Sequence, residues 1–135
     1  MKKSDDEMVA LALAARQKAY APYSKYHVGA VILTESGDVY EGANVENASY
    51  GLSVCAERNA VTRMVLEGGA KPRAIFVATQ SSPPGSPCGM CRQVLLEFAD
   101  DAEHLRVVAI NPEGERVEWT LAALIPAGFT GKQLG

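Results

Sequence analysis

Residues 55–79 read CAERNAVTRMVLEGGAKPRAIFVAT, and this stretch decides the fold class. From Cys55 to Glu67 the apolar residues recur at helical spacing, and Gly68-Gly69 supplies a stop signal. Arg73 to Thr79 follows as a strand with the apolar core Ala74-Ile75-Phe76-Val77-Ala78. A helix leading straight into a buried strand is the repeating unit of an α/β protein.

The flanking sequence extends the pattern. Upstream, Ser4-Asp5-Asp6-Glu7 forms a capping box ahead of a largely apolar helix that ends before Pro22. Val28 to Thr34 reads as a buried strand, Glu35-Ser36-Gly37-Asp38 as a turn, and Val39 to Asn44 as its hairpin partner. Downstream, Gln80 to Pro87 is a loop rich in Ser and Pro, and Pro87 opens a helix to about Phe98. Leu105 to Ile110 and Arg116 to Trp119 are strands joined by the turn Asn111-Pro112-Glu113-Gly114, and Thr120 caps a short helix to Leu124. The order is α-β-β-α-β-α-β-β, then a short helix and a tail. It predicts one domain over residues 1–135, built on a five-stranded mixed sheet with helices packed on its faces.

Composition narrows the function classes. The 135 residues are 47% hydrophobic, which suits a folded globular chain. The longest apolar runs, such as Val28 to Leu33, are too short to span a bilayer. The start, Met1-Lys2-Lys3-Ser4-Asp5-Asp6-Glu7, turns acidic at once and leads into no secretory apolar region, so a cytoplasmic location is expected. Thirteen Lys and Arg stand against 16 Asp and Glu, and no basic cluster exceeds two or three residues. That balance disfavours nucleic acid as a partner.

The three cysteines fall in two short segments, Cys55-Ala56-Glu57 and Pro87-Cys88-Gly89-Met90-Cys91. An odd count in a chain of this kind points to metal or catalysis and away from a disulfide scaffold. Cys88 and Cys91 are three apart and would share one helix face. Cys55 completes a Cys₃ set, and three protein ligands leave one tetrahedral position on Zn²⁺ open, the catalytic arrangement. Helix N-termini favour thiolate over thiol. Three thiolates outweigh the charge of the metal, so the site needs nearby donors. Arg58, Arg92 and Gln93 directly follow the two motifs and are candidates for that support. Glu57, two residues beyond Cys55, is placed to exchange protons with a metal-activated water. The combination of ligand-x-Glu with Pro-Cys-x-x-Cys is a described signature of zinc deaminases, whose Cys₃ version this chain carries.

With those motifs the sequence resembles the cytidine deaminase family, of the small homotetrameric type, over nearly its whole length. The resemblance rests on Tyr20-Ala21-Pro22-Tyr23-Ser24-Lys25-Tyr26, Val28-Gly29-Ala30, Asn44-Val45-Glu46-Asn47-Ala48, Cys55-Ala56-Glu57-Arg58, Ser86 to Val94, and Leu124-Ile125-Pro126 before Phe129. It implies a three-layer α-β-α sandwich, one Zn²⁺ per subunit, and hydrolytic conversion of cytidine and 2′-deoxycytidine to the uridines and ammonia, a pyrimidine-salvage reaction. It further implies that Asn44 and Glu46 hydrogen-bond the ribose and that Tyr26 lies against the pyrimidine. The backbone of Ala56 and Ser86 would read the polar edge of the base. Tyr50 would lie at the subunit interface, and Phe129 would reach the site of a neighbouring chain.

Asn59 stands where the family commonly has Thr, and Met90 where it more often has a small residue. His27 and His104 lie outside both motifs, which separates the chain from deaminases with a His ligand. Three rival readings weigh less. A blasticidin S type deaminase has less use for the Asn44-x-Glu46 pair. A structural zinc module lacks a fourth Cys, and a polynucleotide deaminase would want a basic surface.

Overall fold

The computed structural model describes residues 3–135; Met1 and Lys2, at the start of the expected domain and of the N-terminal reading, lie outside the described residues. The elements are α1 (Asp5–Arg16), β1 (Gly29–Thr34), β2 (Val39–Ala43), α2 (Ala56–Leu66), β3 (Pro72–Ala78), α3 (Gly89–Phe98), β4 (Arg106–Ile110), β5 (Arg116–Thr120) and α4 (Leu121–Leu124). Short 3₁₀ turns cover Tyr50–Leu52 and Gly131–Leu134. The expected order holds, with element ends moved by a residue or two except at α1, which stops at Arg16, well short of Pro22.

Local signals act as the sequence predicts. The Ser4 side chain accepts from the Glu7 amide at 3.2 Å while the Glu7 carboxylate accepts from the Ser4 amide at 3.0 Å. Gly68, at φ +80°, ends α2, and the Gly69 amide returns to the Met64 carbonyl at 2.8 Å. Thr120 caps α4 by accepting from the Ala123 amide.

Among the described residues the sheet has five strands in the order β2-β1-β3-β4-β5. β1 runs antiparallel to β2 and β3, β3 and β4 are parallel, and β5 is antiparallel to β4. Side chains alternate between two cores with the period of a strand. Ala30, Ile32, Ile75, Val77 and Val107 pack with Ala56, Ala60 and Met64 of α2, Leu95 of α3 and Leu121 of α4. Val31, Leu33, Phe76, Val108 and Ile110 pack with Met8, Ala12 and Ala15 of α1 on the opposite face. Both faces are covered, so β1 is buried at every position. This is a three-layer α-β-α sandwich.

Two glycines set how closely the helices approach. A Cβ on Gly29 would lie 2.2 Å from the Arg16 nitrogen of α1. On Gly42 it would lie 2.5 Å from the Ala56 carbonyl and 2.4 Å from the Ala60 nitrogen of α2. The first turn of α2 therefore rests directly on β2, at the end of the sheet where Cys55 and Glu57 emerge.

The start of α1 is tied to the far edge of the sheet by charge. Arg106 donates to both carboxylate oxygens of Asp5, at 3.0 and 2.9 Å, and to Glu118 at 2.7 and 2.9 Å. Its guanidinium lies 5.7 Å from the centroid of the Phe76 ring. Hydrogen bonds from Arg106 and then Arg116 hold the Asp5 carboxyl well below the usual carboxylate range. A depressed folded-state value stabilises the fold above the unfolded pKa of about 3.9, and that stabilisation is lost as pH falls further. The network is partly exposed, so its contribution is modest. Asp5→Asn is expected to lower unfolding free energy by about 1 kcal/mol at pH 7. The difference should close below about pH 4, as measured by urea unfolding of both proteins across that range.

Candidate metal centre and adjoining cavity

Cys55 is the N-cap residue of α2 and Cys88 the N-cap residue of α3, each with extended backbone (φ −69°, ψ 154° and φ −66°, ψ 167°). An oxygen side chain at this position usually accepts from the first-turn amides. Neither cysteine makes such a bond, and both sulfurs turn toward each other. Cys88 was expected inside the helix, sharing a face with Cys91. It lies one residue before the helix, and the tight N-cap turn achieves the same convergence.

The Cys55 Sγ lies 3.9 Å from the Cys88 Sγ, which lies 3.3 Å from the Cys91 Sγ. All three ligand atoms fall within 4.8 Å of one another. Tetrahedral zinc with Zn–S bonds of about 2.3 Å places its sulfurs about 3.8 Å apart. The cluster fits that ion with small adjustments, and its soft donors suit it. No fourth His, Cys, Asp or Glu joins the cluster among the described residues. His104 pairs with Asp101 at 2.6 Å, and the His27 ring meets the Lys25 carbonyl at 3.1 Å. An open fourth position argues against a purely structural metal.

The hydrogen bond from Cys91, followed by Arg58 and Cys88, lowers the Cys55 thiol to about 5. Cys91 moves in the opposite direction, pushed up by its hydrogen bond to Cys55 and by burial. Arg58 donates to the Ser53 carbonyl at 3.1 Å and reaches the Cys55 sulfur at 3.9 Å. Its Nε is buried with no hydrogen-bond partner among the described residues.

The other two residues expected to support the sulfurs act elsewhere. Arg92 donates to the Pro87 carbonyl at 2.8 Å, the Leu124 carbonyl at 2.9 Å and the Ser86 hydroxyl at 2.8 Å. It clamps the loop before α3 onto α4. Gln93 donates to the Phe129 carbonyl at 2.6 Å and accepts from the Phe129 amide at 3.4 Å. It anchors the tail. Both stand within two residues of Cys91 in sequence, but their side chains meet the Pro87 and Leu124 carbonyls and the tail at Phe129.

Glu57 is in the first turn of α2 and only 5% exposed. Burial pushes its carboxyl up to about 7, and the Cys55 charge adds to the effect. It faces a cavity of about 210 Å³ together with Cys55 and Cys88. Tyr26, Asn44, Ala56 and Ser86 line the same cavity, so seven of the residues expected in the site converge there. Thr79 and Gly85 also line it and were not anticipated. A hydroxyl chain joins them to the expected aromatic: Tyr26 donates to Ser81 at 3.1 Å, and Ser81 meets Thr79 at 3.0 Å. Ordinary strand-end residues such as Thr79 carry no sequence mark of this role. The cavity lies beyond the carboxyl end of β3, the usual location for ligands in open α/β sheets.

Asn44 and Glu46, expected as a pair, line separate hollows. The Asn44 carbonyl oxygen accepts from the Val28 amide at 2.9 Å, and its amide donates to the Tyr26 carbonyl at 2.8 Å. Glu46 instead accepts from the Tyr23 and Ser24 amides at 3.0 and 3.1 Å, and from the Ser24 hydroxyl. It lines an adjoining hollow of about 290 Å³ with Tyr23, Ser24 and Tyr50. The Tyr23 and Ser24 donors fix the carboxylate in that adjoining hollow. Tyr50 and Phe129 are 77% and 54% exposed, and neither lines the cavity of its own chain.

The family described as the cytidine and deoxycytidylate deaminase zinc-binding region matches residues 2–107. A cytidine deaminase of Sporosarcina psychrophila is 40% identical over 129 residues, covering 96% of this chain and 93% of the relative. One from Halalkalibacterium halodurans is 42% identical, with 91% and 92% covered. The crystal structure of cytidine deaminase from Burkholderia pseudomallei superposes with a TM-score of 0.89 at 41% identity, over 94% of this chain and all of that one.

The purified protein should contain about one zinc per chain by elemental analysis. Cys91→Ala should reduce this to a small fraction, because two remaining thiolates hold the ion far more weakly. Full zinc in that variant would refute the three-sulfur assignment.

Proposed function

The chain belongs to the cytidine and deoxycytidylate deaminase family, and from that premise we propose that it hydrolyses the amine of cytidine and 2′-deoxycytidine. The single observation that carries this reading is Glu57, buried in one small cavity beside three convergent sulfurs. Cys55, Cys88 and Cys91 would hold a zinc ion, which when bound would supply a water acidified toward neutrality.

Glu57 does the proton transfers. Its carboxylate accepts the proton of the attacking water as the oxygen adds at C4, and it delivers that proton to N3 of the ring. It next takes the second proton of the added oxygen to the departing amine. The C4–N bond breaks, ammonia leaves, and C4 becomes the carbonyl of uridine or deoxyuridine. A carboxyl near neutrality is suited to both halves of this exchange. Arg58, donating toward the Cys55 sulfur, withdraws charge from the thiolates and preserves the acidity of the water.

The remaining groups bind the nucleoside. Tyr26 packs against the pyrimidine, and the backbone of Ala56 and Ser86 meets its polar edge. Asn44 retains one N–H and one lone pair for a ribose hydroxyl. Glu46 meets the sugar side from the adjoining hollow. The cavity is smaller than the roughly 300 Å³ at the lower end of small-molecule pockets. Walls from neighbouring chains would extend it, which supports a homotetramer in which exposed Tyr50 and Phe129 reach other copies. The reading places a single domain over 1–135 in the cytoplasm. Among the described residues no helix is long and apolar enough to cross a membrane.

Glu57→Gln is expected to retain zinc while kcat for cytidine falls by about 10²–10⁴-fold. Turnover near the wild-type rate at full zinc would sink the role given to Glu57. Sedimentation should give a mass of about four chains. Phe129→Ala should raise KM for cytidine, and a fully active monomer would overturn the shared-site reading.

A further inference from the structure

We infer that Asn59 is a positioning residue that holds the catalytic helix at a fixed distance from the Asn44 wall of the cavity. The inference rests on the proposed deamination at that cavity. Asn59 lies on α2, two residues past Glu57, and its side-chain amide donates to the Ala43 carbonyl at 2.8 Å. Ala43 is the last residue of β2, and Asn44 follows it.

From Asn44 the connection runs on through hydrogen bonds. The Asn44 amide nitrogen of the backbone donates to the Val28 carbonyl at 3.2 Å. Its side chain accepts from the Val28 amide at 2.9 Å and donates to the Tyr26 carbonyl at 2.8 Å. Asn44, Val28 and Tyr26 line the cavity together with Cys55, at the N-cap of α2, and Glu57 in its first turn. Asn59 is thus a direct polar tie between the element that carries the proton-transfer group and the chain segment that supplies Asn44 to the cavity lining.

Packing alone fixes only part of this geometry. Gly42 allows the Ala56 and Ala60 backbone to lie against β2, which sets how near the two elements come. Nonpolar contact is weakly directional, so it leaves sliding of α2 along β2 lightly restrained. A hydrogen bond with a defined donor direction restrains that sliding. Misplacement by a fraction of an ångström at the reacting atoms lowers the rate well before it affects folding.

The test uses the zinc-loaded protein. Asn59→Leu removes the donor at similar size, and Asn59→Ala serves as the second variant if the first packs badly. Both are expected to keep wild-type zinc content and to lower kcat/KM for cytidine roughly three- to tenfold, the range set by one net hydrogen bond. In an Asn44→Ala background the same substitution should cost less than about twofold more, because the wall it positions has already lost its side chain. Amide hydrogen exchange supplies a readout independent of turnover. The Val28 and Asn44 amides should exchange several-fold faster in the variants, while Ile75 and Val107 in the sheet centre stay unchanged. Wild-type kcat/KM, multiplicative effects in the double variant, or unaltered Val28 and Asn44 exchange would each overturn the inference. Should the unaltered protein fail to deaminate cytidine, the functional reading falls, and the exchange experiment still decides whether Asn59 holds the wall.

Discussion

Three sulfur atoms within 4.8 Å of one another constrain the rest of this structure. Thiolates at that spacing repel, and only a shared cation or a shared set of protons makes the cluster stable. Two helices must bring their N-termini together to form it, since Cys55 and Cys88 both stand at N-cap positions. The helices can meet there only by packing on the same face of one sheet. The alternation of Ala30, Ile32, Ile75 and Val77 toward α2 and α3 fixes that face. Gly42 then allows α2 to approach β2 closely enough for its first turn to overhang the end of β3. The apolar core therefore serves as the mount that aims two helix ends at one point.

What the sequence revealed and what it hid follow a physical line. Features decided by near neighbours were legible: the capping box at Ser4, the stop at Gly68, the hairpin at Glu35 to Asp38, and the strand run at Ala74 to Ala78. The sulfur cluster was legible as well, because few residue types bind zinc and their spacing is narrow. Side chains whose partners lie far along the chain were not. Gln93 and Phe129 are 36 residues apart, and Arg92 and Leu124 are 32 apart. A donor placed next to a metal motif looks like support for the metal until the tail that claims it is seen. That Asn44 and Glu46 line two adjoining hollows was hidden for the converse reason. The backbone turns after β2, and the Tyr23 and Ser24 amides hold Glu46 in a different hollow.

The burial that suits Glu57 to the role proposed for it also makes it costly. A carboxylate in the first helical turn is normally favoured by the helix dipole. Here desolvation outweighs that effect and raises the group toward neutrality. A buried acid that exchanges its proton near pH 7 gives up stability for reactivity, and the surrounding packing must supply the difference. Met64, Ile75 and Leu95 are fully or nearly fully buried in that core. The residues beyond it, Tyr50 and Phe129, are large, apolar and exposed. Exposed aromatic side chains and the mouth of a small cavity both leave apolar surface wetted. In the homotetramer proposed above, association of copies would remove water from such surfaces, so the forces that would complete the site are the same ones that would hold the assembly together.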